Sequence, residues 1–491
     1  MSSTNGRSSV DQKRAGQEEF LDLEALNRAG QVIPSRSSPD APSRFVIRRL
    51  WVLSVLQKFI SYPAPDSLKL RRTSWLDGVR GAAALGVYIF HAMGCWASLV
   101  PGWHADKDQN SILQLPILRT IFVAGGPAVS IFFVLSGYVL THKSLHWMRD
   151  GSAHQVYPAV ASSMFRRGFR LYLPPILLTF CEMLATRLGF MPPLNFSFVP
   201  ETTLAAQFLD WLVETNRLVN PFYNLQRAVQ GFVTHPKYDA VVWTIPLEFY
   251  GSMVCYILLL ILTRVPSNGF RMTLVAVFSC SCMALGSWNL FCFSGGMLLA
   301  DFNLSQEDNT AGAAPAKHGL IWTTVFTVSF YVAGFPTLVY PEGKLNPMPG
   351  FETLRSLIPM SLNMDDHARF WWSISGMFIL LSISQLPRLK SLFETYFCQY
   401  LGKISFSLYL IHEFCLVLFG LSLQAFLMRV VGLEPGGNGL LYWLVCLIWY
   451  VSFTVPVFAL AAQIERWVDA PSVRFARWLE GECLKLYRNW H

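Results

Sequence analysis

The sequence predicts an all-α integral membrane protein, a polytopic bundle of about ten transmembrane helices. Three observations carry that prediction. The 491-residue chain is 53% hydrophobic and only 14% charged, against about 25% charged residues in soluble domains. Apolar runs recur along its whole length, many of them near the roughly 20 residues a helix needs to cross a bilayer. Basic residues fall in short segments beside those runs, the placement that sets topology. The net charge of +8 is therefore a topology signal. Nothing interleaves basic and aromatic residues on a solvent face, so nucleic acid is not an expected partner; the lipid bilayer is.

Residues 1–43 are rich in Ser, Gly, Glu, Arg and Pro and have no apolar core region. They read as a disordered cytosolic tail rather than a signal peptide. Residues 44–72 form a basic amphipathic segment. There Arg48, Arg49 and Lys58 stand among Trp51, Leu53, Leu56 and Phe59, a pattern suited to an interfacial helix on an anionic leaflet. The transmembrane domain is expected over 73–470. Its spans run over 75–98, 120–141, 171–190, 243–263, 271–288, 289–304, 318–340, 369–386, 401–427 and 439–463. A short cytosolic tail, 471–491, closes the chain.

Orientation follows from the charges. With the N-terminus in the cytosol, the cytosolic segments hold Lys69, Arg71 and Arg72, then Arg166, Arg167 and Arg170, then Arg264 and Arg271, then Arg388 and Lys390, and finally Arg466, Arg474, Arg477, Lys485 and Arg488. The other side has far fewer, among them Lys107, Arg217, Lys237, Lys344, Arg355 and Arg429, spread over long loops. An even span count with both termini cytosolic satisfies this bias. Asn195-Phe-Ser197 is then a glycosylation acceptor pattern in an outer loop. The ten cysteines contain no CxxC pair. They read as small buried hydrophobes, with neither a disulfide framework nor a metal site.

The chemistry concentrates inside the apolar runs. The run from Ser74 to Trp96 contains Asp77, Arg80 and His91. At 100° per residue, Arg80 and His91 lie about 20° apart and Asp77 and His91 about 40° apart, so the three share one stripe. A charged residue at mid-span costs about 2.5–3.5 kcal/mol on insertion scales, so such a stripe needs a reason. His91 is the candidate base. Asp77 is a second catalytic candidate, or the i,i+3 ion-pair partner of Arg80. Glu248, in Trp243-Thr244-Ile245-Pro246-Leu247-Glu248-Phe249-Tyr250, sits about one turn into the fourth span. That puts it at a depth similar to His91, where a carboxylate would fix the imidazole tautomer.

Two further runs supply candidate binding residues. Phe132-Phe133-Val134-Leu135-Ser136-Gly137-Tyr138 has small residues that let another backbone approach closely. Ser136 and Tyr138 join the substrate-binding set. As a nucleophile, Ser136 lacks the strand-to-helix turn that would expose it. Arg166, Arg167 and Arg170 stand at the mouth of the third span. They suit phosphate groups, because Arg offers planar bidentate donors; plain positive-inside bias accounts for them as well.

Taken together these runs resemble the acyltransferase-3 family of integral membrane acyltransferases. The matching segments are Leu76 to His91, Phe132 to Tyr138, Arg166 to Pro174, Trp243 to Tyr250 and Leu401 to His412 (LGKISFSLYLIH), with Ile464 to Pro471 as the closing segment. Tyr138 departs from the phenylalanine that many members carry. The resemblance implies transfer of an acyl group, usually acetyl, from cytosolic acyl-CoA to an acceptor hydroxyl. Acyl-CoA is then a co-substrate, and no cofactor is bound. The residue matched by His91 is implied to be catalytic, and those matched by Arg80, Arg166, Arg167 and Arg170 to serve activity or donor binding. The chain resembles shorter fungal-type members without an appended hydrolase-like domain, several of which decorate secondary metabolites. A proton-coupled transporter using Asp77, Arg80, His91 and Glu248 is the alternative. Without inverted repeats it is the weaker one.

Overall fold

The computed structural model describes residues 70–97, 102–103, 111–123, 125–190, 200–223, 225–309, 319–338, 348–437 and 439–490, together with Tyr62, Pro63 and Leu68. The tail 1–43, most of the segment 44–72 and the acceptor pattern at Asn195 lie outside the described residues. Within them, secondary structure is entirely helical. The longer helices are α1 (Ser74–Gly94), α2 (Gly125–Arg149), α3 (Val156–Arg187), α4 (Leu204–Val219), α5 (Thr244–Leu262), α6 (Asn268–Ala284), α7 (Trp288–Asn309), α8 (Gly319–Ala333), α9 (Ala368–Gln385), α10 (Tyr396–Cys415), α11 (Leu440–Ile464) and α12 (Ala470–Trp490).

A helix stands at each of the ten expected spans, but the count of ten is not established. Among the described residues, five helical stretches are long and apolar enough to cross a membrane by length and composition: Gly125–Arg149, Ala153–Arg187, Val241–Leu262, Tyr396–Val431 and Leu440–Arg488. A sixth forms if α9 and the short helix Pro387–Phe393, bent by 103°, are one span. The other apolar runs fall short for physical reasons. Helix α1 carries Asp77, Arg80 and His91. Helices α6 and α8 have only 17 and 15 residues. The break between α6 and α7 falls at Gly286, whose φ of 81° is left-handed. It also lies against the Asn363 backbone, where a Cβ would collide, so glycine is needed twice over.

Helix α2 packs on α7, α9, α1 and α5, and α1 packs on α10. Both main crossings are made by glycine. At the α1–α10 crossing a Cβ on Gly81 would strike the Gly402 backbone, and one on Gly402 would strike the Asp77 carbonyl. At the α2–α7 crossing Gly137 meets the Phe293 carbonyl and Gly296 meets that of Val134. The small residues of the FFVLSGY run thus serve close helix packing, and they bring Ser136 alongside. The expected tail, 471–491, is helical over its described residues, which belong to α12, and α12 packs along α3. A π-helical turn, Glu465–Asp469, joins it to α11. Such turns recur at functional positions, and this one carries two of the acids described below.

Candidate active site

Arg80 is built into the α1–α10 crossing. Its Nε–H donates to Ser405 Oγ at 3.0 Å and an Nη2–H to the Gly402 carbonyl at 2.7 Å. Asp77, one turn earlier on the same face, is 3.1 Å from Nη2. The i,i+3 pair expected from spacing is formed.

Glu248 has partners from two other helices. Arg167 of α3 pairs with its Oε1, and Ser136 of α2 donates to the same oxygen at 2.6 Å. Ser252 closes the group: Arg167 Nε–H donates to its Oγ at 2.9 Å, and that Oγ–H donates to the Glu248 carbonyl at 2.6 Å. This corrects the expected His91–Glu248 pair, since no hydrogen bond joins those two among the described residues. Glu248 is engaged by α2 and α3, whereas His91 lies against His412 of α10.

These groups line one cavity of about 210 Å³. Asp77, Arg80, Ser136, Arg167, Arg170 and Glu248 all border it, as do Thr244, Lys403, Ser405, Tyr409 and Asp469. Arg170 is exposed and forms no hydrogen bond or ion pair among the described residues. Asp469 lies close enough to interact with it electrostatically. Lys403 is held by Glu465 at 2.7 Å. Four cations against three carboxylates border the open volume, and one cation has no hydrogen-bonding partner.

Two expected binding residues stand elsewhere. Arg166 faces α12, with Nε 3.4 Å from Glu480. Consecutive helical residues diverge by 100°, and Arg167 borders the cavity where Arg166 does not. Tyr138 is packed edge-on to Trp75 and stacked on His142, and its hydroxyl accepts from Asn303 Nδ2 at 3.2 Å.

His91 does not line the cavity. Its ring is 4.9 Å, centroid to centroid, from that of His412 on α10. His412 in turn lies 6.1 Å from the Tyr409 ring. The Tyr409 hydroxyl donates to the Val241 carbonyl, so Thr244 Oγ1 is the donor in the 2.7 Å bond between the two hydroxyls. Tyr409 borders the cavity, and ring contacts lead from it to His412 and on to His91, neither of which is in the lining. Ser405, Tyr409 and His412 were legible in principle: i, i+4 and i+7 share one helix face, and all three sit in the LGKISFSLYLIH run.

A helical membrane bundle with guanidinium groups around an internal cavity, leading toward a histidine pair, is suited to an anionic donor and acid–base group transfer. The family model for the acyltransferase domain, Acyl_transf_3, matches residues 73–462, and the chain belongs to that family. It is an acyltransferase, moving groups other than aminoacyl groups, and a multi-pass membrane protein. Among characterised proteins it is similar to the O-acetyltransferase PaAT-1 of Phomopsis amygdali, at 29% identity over 88% of this chain and 89% of that one. It is also similar to the acyltransferase clz18 of Cochliobolus lunatus, at 25% identity over 73% of this chain and 85% of that one. The acyltransferase R4 of a Phoma species is 24% identical over 84% of this chain and 95% of that one. No solved structure matches the chain.

Proposed function

We propose that the chain is an O-acetyltransferase that takes acetyl-CoA from the cytosolic face and acetylates a hydroxyl of a small-molecule acceptor, a secondary metabolite. The observation that carries this reading is Arg170, an exposed guanidinium with no hydrogen bond or ion pair among the described residues, bordering the same cavity as Arg80, Glu248 and Tyr409. The name of PaAT-1, an O-acetyltransferase, favours acetyl as the group.

In this reading the phosphates of the donor meet Arg170, and the pantetheine arm passes Arg80. Arg167 is committed to Glu248 and holds the wall in shape. His91 takes the proton of the acceptor hydroxyl. The oxygen bonds to the acyl carbon, the C–S bond breaks, and the leaving thiolate receives the proton from His91. The charge bias supports a cytosolic mouth and cytosolic termini.

The test is transfer from labelled acetyl-CoA in membranes containing the protein, with extracted lipids, sugars and small metabolites offered as acceptors. His91→Ala should lower the rate by about 10²–10⁴-fold while the protein still accumulates. Near-normal transfer by that variant overturns the assignment of His91. A cysteine placed beside Arg170 should resist an impermeant thiol reagent in sealed cells and react after permeabilisation. Labelling from outside reverses the direction of transfer.

A further inference from the structure

His412 is 2% exposed and carries one unmet bonding position. Its Nδ1 lies 2.7 Å from the Tyr409 carbonyl oxygen and 3.2 Å from that of Leu408. A carbonyl oxygen only accepts, so Nδ1 bears the proton. Nε2 then presents a lone pair, and it is buried with no hydrogen-bond partner among the described residues. Buried polar atoms are normally satisfied. The ring beside it is His91, 4.9 Å away between centroids and tilted by 59°, with no hydrogen bond joining the two rings as they stand. His91 has no hydrogen bond from its ring among the described residues; its other ring neighbour is Phe90.

We propose that His412 is the positioning residue of the reaction: when the His91 ring turns toward it, its Nε2 accepts a hydrogen bond from one ring N–H of His91, leaving the other ring nitrogen of His91 bare for the acceptor hydroxyl. This rests on the reading of His91 as the base. A catalytic histidine is ordinarily oriented by a carboxylate or carbonyl on its far nitrogen. At membrane depth a neutral imidazole performs the same orientation without burying a second charge. When His91 takes the acceptor proton, the bond to His412 helps hold the imidazolium. The acceptor oxygen bonds to the acyl carbon, the thiolate leaves, and His91 returns the proton to sulfur. His412 keeps its own proton on Nδ1 throughout.

Two substitutions separate positioning from plain packing. The amide of His412→Gln reaches the place of Nε2, so it keeps the acceptor and loses the bond to Tyr409. The amide of His412→Asn reaches the place of Nδ1, so it keeps the backbone bond and loses the acceptor. Rates are taken per mole of inserted protein. His412→Asn should lower kcat about 10–100-fold, the usual cost of losing an orienting partner, with the KM for acetyl-CoA unchanged. His412→Gln should retain most of the rate. A role confined to holding the helix reverses that order, and either the reverse order or equal losses overturns the proposal. A second measurement needs no turnover: the rate at which diethyl pyrocarbonate modifies His91, read by peptide mass spectrometry. It should fall in His412→Asn and persist in His412→Gln. If the wild-type protein transfers no acetyl group, the function proposed above fails while this arm still decides on the pair.

Discussion

Two charged clusters in this bundle use the same groups to opposite ends. In one, Arg149 and Arg271 converge on Asp301. Arg271 donates from Nε and Nη2 to the two carboxylate oxygens at 2.8 and 2.9 Å, and Arg149 donates to Oδ1 at 2.7 Å and to the Asp301 carbonyl at 2.9 Å. The three side chains are 6%, 1% and 3% exposed, and every oxygen of Asp301 is engaged. In the other, Arg80, Arg167 and Arg170 line an open cavity, and the Arg80–Asp77 pair is 38% and 52% exposed. A sealed cluster of α2, α6 and α7 can only hold helices together. An open one, with a guanidinium left unpaired, can receive an anion. Access, more than residue type, separates the structural arginines from the candidate binding ones.

The largest effects should come from breaking the sealed cluster. Asp301→Ala strands two buried guanidinium groups, and removing one partner of a buried pair costs about 3–5 kcal/mol. The variant should fail to accumulate in membranes, or unfold at clearly lower temperature in detergent. Glu248→Gln should behave in the opposite way. Its amide oxygen still accepts from Ser136 and Arg167, so abundance should hold while acetyl transfer drops. Normal abundance for Asp301→Ala, or collapse of Glu248→Gln, would erase the distinction between the clusters.

The same contrast marks how far the sequence could be read. Asp77 and Arg80 were legible because both lie on one helix, where spacing alone fixes the shared face. So was the close approach at Gly137. Arg271 was not: its position beside an apolar run reads as a topology signal, and nothing local reveals Asp301, thirty residues on, as its partner. Glu248 was recognised as a site residue but assigned to His91, because depth along a span is countable and the facing of α5 toward α3 is not. His412 stood in a recognised run without a role until the fold set it against His91. Periodicity reports which residues share a face of one helix. Which faces meet depends on crossings such as those at Gly81–Gly402 and Gly137–Gly296, set by backbones that only glycine lets so close.

A middle-sized effect should sharpen the open side. Arg170→Gln removes the unpaired guanidinium without disturbing any pair. Hydrogen bonds to charged groups contribute about 1.5–3 kcal/mol, so the KM for acetyl-CoA should rise about 10- to 100-fold, with a smaller fall in kcat. That split is the mark of lost uniform binding. An unchanged KM would return Arg170 to a plain orientation signal.

The smallest effect belongs to Arg166, four residues before Arg170 and immediately before Arg167. Its Nε is 3.4 Å from Glu480 of α12, and the two side chains are 34% and 20% exposed. Ion pairs that water reaches contribute about 0–1 kcal/mol, so Arg166→Gln should lower the melting temperature only slightly. Because Arg166 faces α12 and not the cavity, the KM for acetyl-CoA should stay at the wild-type value. Glu480→Gln should match it in both measurements, and the double variant should be little worse than either single, since both lose one shared contact. A rise in KM for Arg166→Gln comparable to that for Arg170→Gln would extend the donor site along α3 by one turn. It would also make α12, the helix that closes the chain, part of the donor site.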